Sequence, residues 1–120
     1  MQRSFAPVLV LYAKDIIKTV AFYETLGIVF RDEKHGDGPL HAAADFGGFV
    51  LEVYPKPPSR KESGTPGERL VFRIDDVEGM IELLTFVGHP VTRSKPSAQG
   101  PTILTRDPDG REILLIRSQS

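Results

Sequence analysis

Residues 15–27 carry the sequence DIIKTVAFYETLG, and residues 76–88 repeat its pattern as DVEGMIELLTFVG. Each copy begins with an aspartate, continues with apolar residues at helical spacing and ends with a glycine. This order is typical of an N-cap, an amphipathic helix and a left-handed residue that ends the helix. A tight turn also occurs twice, as DFGG at 45–48 and as DPDG at 107–110. The chain therefore contains two copies of one structural unit.

The residues around each predicted helix indicate the same order of strands in both copies. Short apolar or alternating runs, bounded by turn-forming residues, are typical of strands. In the first copy these runs occupy residues 8–12, 28–31, 40–45 and 49–54. In the second copy they occupy residues 70–74, the region near Val91, and residues 102–105 and 112–116. Each copy therefore has the order β-α-β-β-β, which predicts the α+β fold class.

The segment between the two copies, residues 55–67, is predicted to be a linker. It contains four prolines and two glycines and shows no apolar periodicity. Either copy alone, with about 50 residues, would be only marginally stable. We therefore expect a single domain over residues 1–120, in which one module spans 5–54 and the other spans 68–117.

Both predicted helices are amphipathic, so each should bury its apolar side against one face of its own strands. The opposite face of each sheet stays open, and we expect the two sheets to curve toward each other around a central groove. Side chains alternate along a strand, which assigns the residues of each open face. In the first module they are Val8, Val10, Tyr12, Val50, Glu52 and Tyr54. In the second module they are Arg69, Val71, Arg73, Leu114 and Ile116.

Composition and charge exclude several classes of function. The net charge is −1 and the longest basic run is the pair Arg60-Lys61, so the chain encodes no extended surface for nucleic acid. The apolar stretch at residues 8–13 is too short for a signal sequence or a membrane span, and we expect a cytoplasmic protein without a membrane partner. The chain has no cysteine, which excludes disulfides, thiolate metal sites and a cysteine nucleophile. Small molecules or other proteins are the expected partners.

The repeated pattern resembles the vicinal-oxygen-chelate superfamily, which includes glyoxalase I, extradiol dioxygenases, and the fosfomycin and bleomycin resistance proteins. The resemblance covers the chain from about Val8 to Arg117. The motifs that carry it are Asp15 after a short strand, Phe22-Tyr23, Leu26-Gly27, and Asp107-Pro108-Asp109-Gly110 before a terminal apolar strand. The resemblance implies two tandem βαβββ modules that form a curved mixed sheet with a central groove. It also implies a homodimer, formed either side by side or by exchange of modules.

Metal-using members of this superfamily place their ligands on the first and last strands of each module. The resemblance assigns these positions to Val8, Glu52, Arg69 and Leu114. Only Glu52 is a suitable ligand, because valine and leucine have no donor atom and a guanidinium keeps its proton and repels a cation. The usual metal site is therefore expected to be degenerate. Arg69 and Glu52 are expected either to form a bidentate pair or to be ordinary solvated residues.

The first functional hypothesis is a protein of the bleomycin-resistance kind that binds a small molecule in the groove without converting it and without a cofactor. The expected ligand-binding residues are Val8, Tyr12, Glu52, Tyr54, Arg69, Arg73 and Leu114. The two tyrosines either supply flat walls for the ligand or pack in the core, and Arg73 would attract an anionic group. Bleomycin is not the expected ligand, since drug binders of this kind commonly use tryptophan and surplus acidic charge around a cationic drug, and this chain has no tryptophan and is nearly neutral.

The alternative is a lyase or dioxygenase that binds a divalent metal through His41, Glu52, water and substrate. His41 lies on the strand that should pair with the strand carrying Glu52. The other two histidines are expected elsewhere, His35 in a solvent-exposed loop and His89 at the C-terminus of a helix. A third alternative is a vestigial groove in a chain that serves as an interaction module.

Overall fold

The computed structural model describes residues 7–60, 69–98 and 100–118. The first half contains β1 (Val8–Ala13), α1 (Ile16–Thr25), β2 (Arg31–Glu33), β3 (His41–Asp45) and β4 (Val50–Pro55). The second half contains β5 (Arg69–Ile74), α2 (Val77–Phe86), β6 (Val91–Ser97), β7 (Gly100–Arg106) and β8 (Glu112–Arg117). The βαβββ order therefore occurs twice, and the predicted α+β class is confirmed.

The chain forms two compact units, one within residues 1–64 and the other within residues 65–120. Each unit contains one helix and a four-stranded mixed sheet. The strand order is β1-β4-β3-β2 in the first sheet and β5-β8-β7-β6 in the second, so the two units have the same topology. In each sheet the first and last strands of the unit pair in parallel, and the other pairs are antiparallel. Most of the predicted linker, residues 61–67, lies outside the described residues.

Both helices begin directly after the aspartates and end shortly before the glycines that the sequence singled out, although α2 ends at Phe86, one residue before the predicted Val87. The carboxylates of Asp15 and Asp76 each accept a hydrogen bond from the backbone N–H three residues later, at 3.2 and 2.9 Å. Gly27 and Gly88, with φ of +104° and +88°, follow the last turns in the left-handed conformation. Neither helix in the described part of the chain combines the length and the apolar character that a bilayer span requires.

Strand alternation separates a buried face from an open face in each sheet, as predicted. In the first unit Leu11, Leu51 and Val53 point to the buried side, together with Phe22 and Tyr23 of α1. The corresponding buried residues of the second unit are Leu84, Ile103, Ile113 and Leu115. These side chains are almost fully removed from water, so each unit has its own apolar core.

The second strand of the first unit lies further along the chain than predicted. It was expected at residues 28–31 and is found at Arg31–Glu33, where pairing with β3 involves charged residues that carry no apolar pattern. Arg31 is held by Glu33 on the same strand and by Asp45 on β3. The edge strand is therefore built from charged residues, which is a common way of protecting a sheet edge from aggregation.

Candidate functional site

The open face of the first sheet carries polar side chains that strand pairing brings together. Glu33 on β2 is opposite His41 on β3, and Ala43 on β3 is opposite Glu52 on β4. Side chains two residues apart on a strand point to the same side, so Glu33, His41 and Glu52 share one face of the sheet. Tyr54, two residues beyond Glu52, shares this face as well.

His41 is the most deeply buried member of this group, with only 1% of its surface exposed. Its Nδ1 atom lies 3.2 Å from the carbonyl oxygen of Pro39. Its ring stacks on Tyr54, with the ring centroids 4.0 Å apart and the planes at 9°. The backbone contact and the stacking together define the orientation of the ring, so that Nε2 points toward the neighbouring carboxylates.

Four side chains direct donor atoms toward a common point on this face. Nε2 of His41 lies 3.1 Å from Oε1 of Glu33 and 3.6 Å from Oε2 of Glu52. Nε2 of His35 lies 3.0 Å from the same Oε1 atom of Glu33. One donor atom from each of the four residues lies within 4.8 Å of all the others. We call Glu33, His35, His41 and Glu52 the His-Glu cluster.

The negative charge of Glu33 is stabilised mainly by Arg31. Nε and Nη2 of Arg31 donate to Oε2 of Glu33 at 3.1 and 2.8 Å. This interaction is the main cause that lowers the pKa of Glu33 below its usual value; partial burial opposes the shift, and hydrogen bonds with His41 and His35 add to it. Glu33 is therefore ionised at neutral pH, with Oε2 on the arginine and Oε1 facing the cluster.

An aromatic row borders the His-Glu cluster. Tyr12 lies beside Tyr54, with the ring centroids 6.3 Å apart and the planes at 55°, and the guanidinium of Arg60 lies 4.5 Å from the Tyr12 ring centroid. Partial burial is the main cause that raises the pKa of Tyr54, and the negative charge of nearby Glu52 is the next. Tyr54 is therefore a neutral phenol at physiological pH. The row formed by Tyr12, Tyr54 and His41 is an amphipathic surface.

The predicted site residues of the second unit lie on the open face of their own sheet. Arg69 on β5 forms a charged hydrogen bond with Glu112 on β8, its partner in the parallel pairing. Alternation places Leu114 and Arg73 on the same face. Arg69 therefore has a carboxylate partner within its unit. Its predicted pairing with Glu52, which belongs to the first unit, stays a prediction.

Comparison with known proteins identifies the fold. The sequence matches no protein-family model and no curated protein. TnmS3, an antibiotic binding protein from Streptomyces sp. CB03234, is 24% identical in sequence, and its structure matches over 99% of both chains with a TM-score of 0.75. A glyoxalase/bleomycin resistance protein from the same organism is 24% identical, with a TM-score of 0.70 over 93% of this chain and 99% of that chain. This chain has the vicinal-oxygen-chelate fold.

The vicinal-oxygen-chelate fold also relates this chain to an enzyme. A glyoxalase I mutant from Zea mays is 24% identical and matches 97% of this chain with a TM-score of 0.76. This chain spans only 46% of the length of that protein. Likeness at these identities establishes the fold, and function has to be argued from the residues of the site.

The resemblance assigned the metal positions of the superfamily to Val8, Glu52, Arg69 and Leu114, and a degenerate metal site at these positions stays a prediction. Val8 and Leu114 offer no donor atom, and Arg69 is a cation that already bonds Glu112. Glu52 is the one residue at these positions that can ligate a metal. The side chains that do offer imidazole and carboxylate donors form the His-Glu cluster, which lies within the first unit.

Two members of the His-Glu cluster were not anticipated from the sequence. His41 and Glu52 belong to the alternative site that sequence analysis predicted, whereas Glu33 and His35 do not. The expectation that His35 is exposed is confirmed, since 69% of its side chain is accessible, yet its Nε2 atom reaches Glu33. The signal in the sequence is the spacing of Glu33 and His35, which places both side chains on one side of an extended chain. Sequence analysis missed this spacing because it predicted the strand at residues 28–31, before Glu33 and His35.

Proposed function

We propose that this protein binds a flat small molecule on the open faces of its sheets and releases it unchanged. The observation that carries the proposal is the aromatic row of Tyr12, Tyr54 and His41, which borders the carboxylates of Glu33 and Glu52. Aromatic walls with a few directed polar groups are typical of small-molecule sites. The matching ligand is planar and partly apolar, and carries hydrogen-bond donors or a positive charge for the carboxylates.

The proposal includes a contribution from the second unit. We propose that the open face of each unit contacts the ligand. Val8 of the first unit and Leu114 of the second contact its apolar parts, while Arg73 and Arg69 attract anionic groups. The alternating strand pattern of β5 and β8, which presents Arg69, Arg73 and Leu114 on one face of the second sheet, supports the contribution of the second unit.

Release without conversion is supported by the residue types at the metal positions of the fold. Three of these four positions cannot ligate an ion, so the arrangement by which metal-using relatives polarise a substrate is not encoded there. The likeness to TnmS3, which is described as an antibiotic binding protein, supports binding as a function of this fold. A planar antibiotic is accordingly the ligand class that we propose.

Thermal denaturation and titration calorimetry with a panel of planar aromatic antibiotics test this proposal. A ligand present at about 100 times its dissociation constant should stabilise the protein by about 2.7 kcal/mol. Mass spectrometry of the recovered ligand should show the compound chemically unchanged. Conversion of the compound, or the failure of every member of the panel to stabilise the protein, would contradict the proposal.

Substitution of the aromatic row locates the binding surface. Tyr54→Leu should weaken binding about fivefold, because an aromatic contact contributes roughly 1 kcal/mol beyond the area that it buries. Phe86→Leu is the matched control, since Phe86 is an exposed aromatic residue at the end of α2. Binding that is equally weakened in both variants would show that the ligand does not contact the row.

A lyase or dioxygenase that depends on a divalent metal is the second candidate function. The His-Glu cluster is the observation that favours it, since two imidazoles and two carboxylates are metal ligands. Such an enzyme needs an ion with a coordination position that substrate oxygen atoms can occupy. Chemical conversion of a panel compound by metal-loaded protein, and not by metal-free protein, would favour this function over binding.

A further inference from the structure

The hydrogen bonding of a neutral His41 places its acceptor nitrogen next to two carboxylate oxygens, which are acceptors too. Because a carbonyl oxygen can only accept, the contact between Nδ1 of His41 and the oxygen of Pro39 requires the proton of a neutral ring to be on Nδ1. Nε2 is then an acceptor. It faces the oxygens of Glu33 and Glu52, which are acceptors as well, at 3.1 and 3.6 Å. A positive charge between these three atoms would remove the repulsion.

Either a second proton on His41 or a bound cation would supply that charge. A proton on Nε2 would satisfy His41 and its two carboxylates, while His35 would separately donate its own Nε2–H to the same oxygen of Glu33 at 3.0 Å. An ion at the common point uses all four side chains. Two imidazoles and two carboxylates are the donor types that zinc and similar divalent ions bind in proteins.

We propose that Glu33, His35, His41 and Glu52 bind one divalent metal ion, for which zinc is the best match. A regular tetrahedron with zinc–nitrogen and zinc–oxygen bonds of ordinary length separates its donor atoms by about 3.4 Å. Three donor pairs of the cluster are 3.0, 3.1 and 3.6 Å apart, and all its donor pairs lie within 4.8 Å. A small movement of His35 would bring the donor atoms to tetrahedral spacing, since its side chain is exposed and belongs to the loop after β2.

Groups outside the cluster orient the proposed ligands. Arg31 binds Oε2 of Glu33 and so directs Oε1 toward the ion. The carbonyl of Pro39 holds the proton of His41 on Nδ1, which leaves Nε2 as the metal-binding nitrogen, and stacking on Tyr54 holds the plane of the ring. A histidine that binds a metal through one ring nitrogen usually donates a hydrogen bond from the N–H of the other nitrogen in this way.

The proposed site differs from the metal position of the fold in both composition and place. Glu52 is the one residue that they share, and the other three ligands come from β2, the loop after it and β3. Four protein donors fill a tetrahedral shell, so the ion would tie three strands of the first sheet together and leave no position for substrate. The site would hold its ion whether or not the open face binds a small molecule, so this inference and the proposed function can fail separately.

Metal titration of the full chain, first stripped with a chelator, tests the inference. We expect zinc to bind at one ion per chain in calorimetry and to raise the melting temperature. Cobalt should occupy the same site and give the intense visible absorption of a tetrahedral complex. A weak octahedral spectrum would contradict the closed four-ligand shell.

Histidine variants identify the ligands. His35→Gln should weaken zinc binding at least about tenfold, because removing a ligand costs no less than removing a group that orients one. The fold should tolerate this change, since His35 is exposed. His89→Gln is the control with the same loss of an imidazole, at a position in the second unit.

Three results would overturn the inference. The first is the absence of zinc, cobalt, nickel and manganese binding to the stripped protein. The second is zinc binding that His35→Gln leaves unchanged. The third is an equal loss of affinity in His35→Gln and His89→Gln.

Discussion

The aspartate that begins the Asp-Pro-Asp-Gly turn of the second unit also holds a buried arginine. Gly110 has a φ of +89°, as its left-handed turn position requires. Asp107 accepts hydrogen bonds from the backbone N–H groups of Asp109 and Arg111 at 2.9 and 3.0 Å. Nη1 of Arg111 also donates to Oδ2 of Asp107 at 2.8 Å, and the two side chains are 7% and 0% exposed. The turn therefore encloses a buried ion pair directly before β8.

Loss of this arginine should strongly destabilise the protein. Arg111→Met keeps most of the apolar stem but leaves the buried charge of Asp107 without its cation. Removing one partner of a buried ion pair costs about 3–5 kcal/mol, and denaturant unfolding monitored by circular dichroism measures this loss.

An exposed ion pair of the same unit provides the control. Arg93 on β6 bonds Glu78 of α2 at 2.7 Å, and both side chains are more than half exposed. Arg93→Met should therefore destabilise the protein much less than Arg111→Met, because solvent screens an exposed pair. Equal losses of stability in the two variants would show that burial does not determine the strength of the Arg111 pair.

At the scale of the element, each helix is capped by its own aspartate, but the two helices differ at the residue whose N–H the aspartate contacts. Asp15 accepts from the N–H of Lys18, whereas Asp76 accepts from the N–H of Gly79. A methyl group added at Gly79 would overlap Oδ2 of Asp76. The glycine in the first turn of α2 is therefore explained by the close approach of the capping carboxylate, although glycine is a poor helix former.

The overlap predicts a dependence between these two positions. Gly79→Ala alone should change stability little, because the gain of about 1 kcal/mol in helix propensity is offset by the loss of a cap of about the same strength. In an Asp76→Ala background the same change should stabilise the protein by about 1 kcal/mol. Thermal unfolding of the four proteins of this double-mutant cycle gives the coupling, and additive effects would contradict the overlap.

At the scale of the whole molecule, two units of one topology present different chemistry. The open face of the first unit carries the His-Glu cluster and the aromatic row, while that of the second carries arginines, one of which is paired with Glu112. Val8, Val10 and Val71, on the open faces, are each more than one third exposed in the single chain. These exposed valines leave each open face accessible to a small molecule.

We expect the chain to form a homodimer in solution, as the resemblance to the superfamily implies, because a partner would cover exposed apolar side chains such as Ile17 and Val29. Sedimentation equilibrium should give twice the mass of one chain. The dimer should persist at high salt, since burial of apolar surface is not screened by ions as charge pairs are. A monomer at every protein concentration in the micromolar range would contradict this expectation.

Local patterns in the sequence predicted most of the fold. The aspartate caps, the glycines after each helix and the turn at Gly110 depend on contacts within about four residues, so they are visible in any single copy. Alternation along β4 predicted correctly that Leu51 and Val53 are buried and that Glu52 and Tyr54 are less so. The internal repeat then reproduced these features in the second unit.

The sequence by itself thus determined the duplicated βαβββ order, the helix boundaries and the face to which Glu52 points. Only the tertiary structure decided where β2 lies, that Glu33 and His35 join His41, and that Arg111 is buried against Asp107. The physical reason is that these contacts depend on which strands pair and on how a loop returns. The strand β2 pairs with β3 through Arg31, Asp32 and Glu33, charged residues that carry no apolar pattern along the chain.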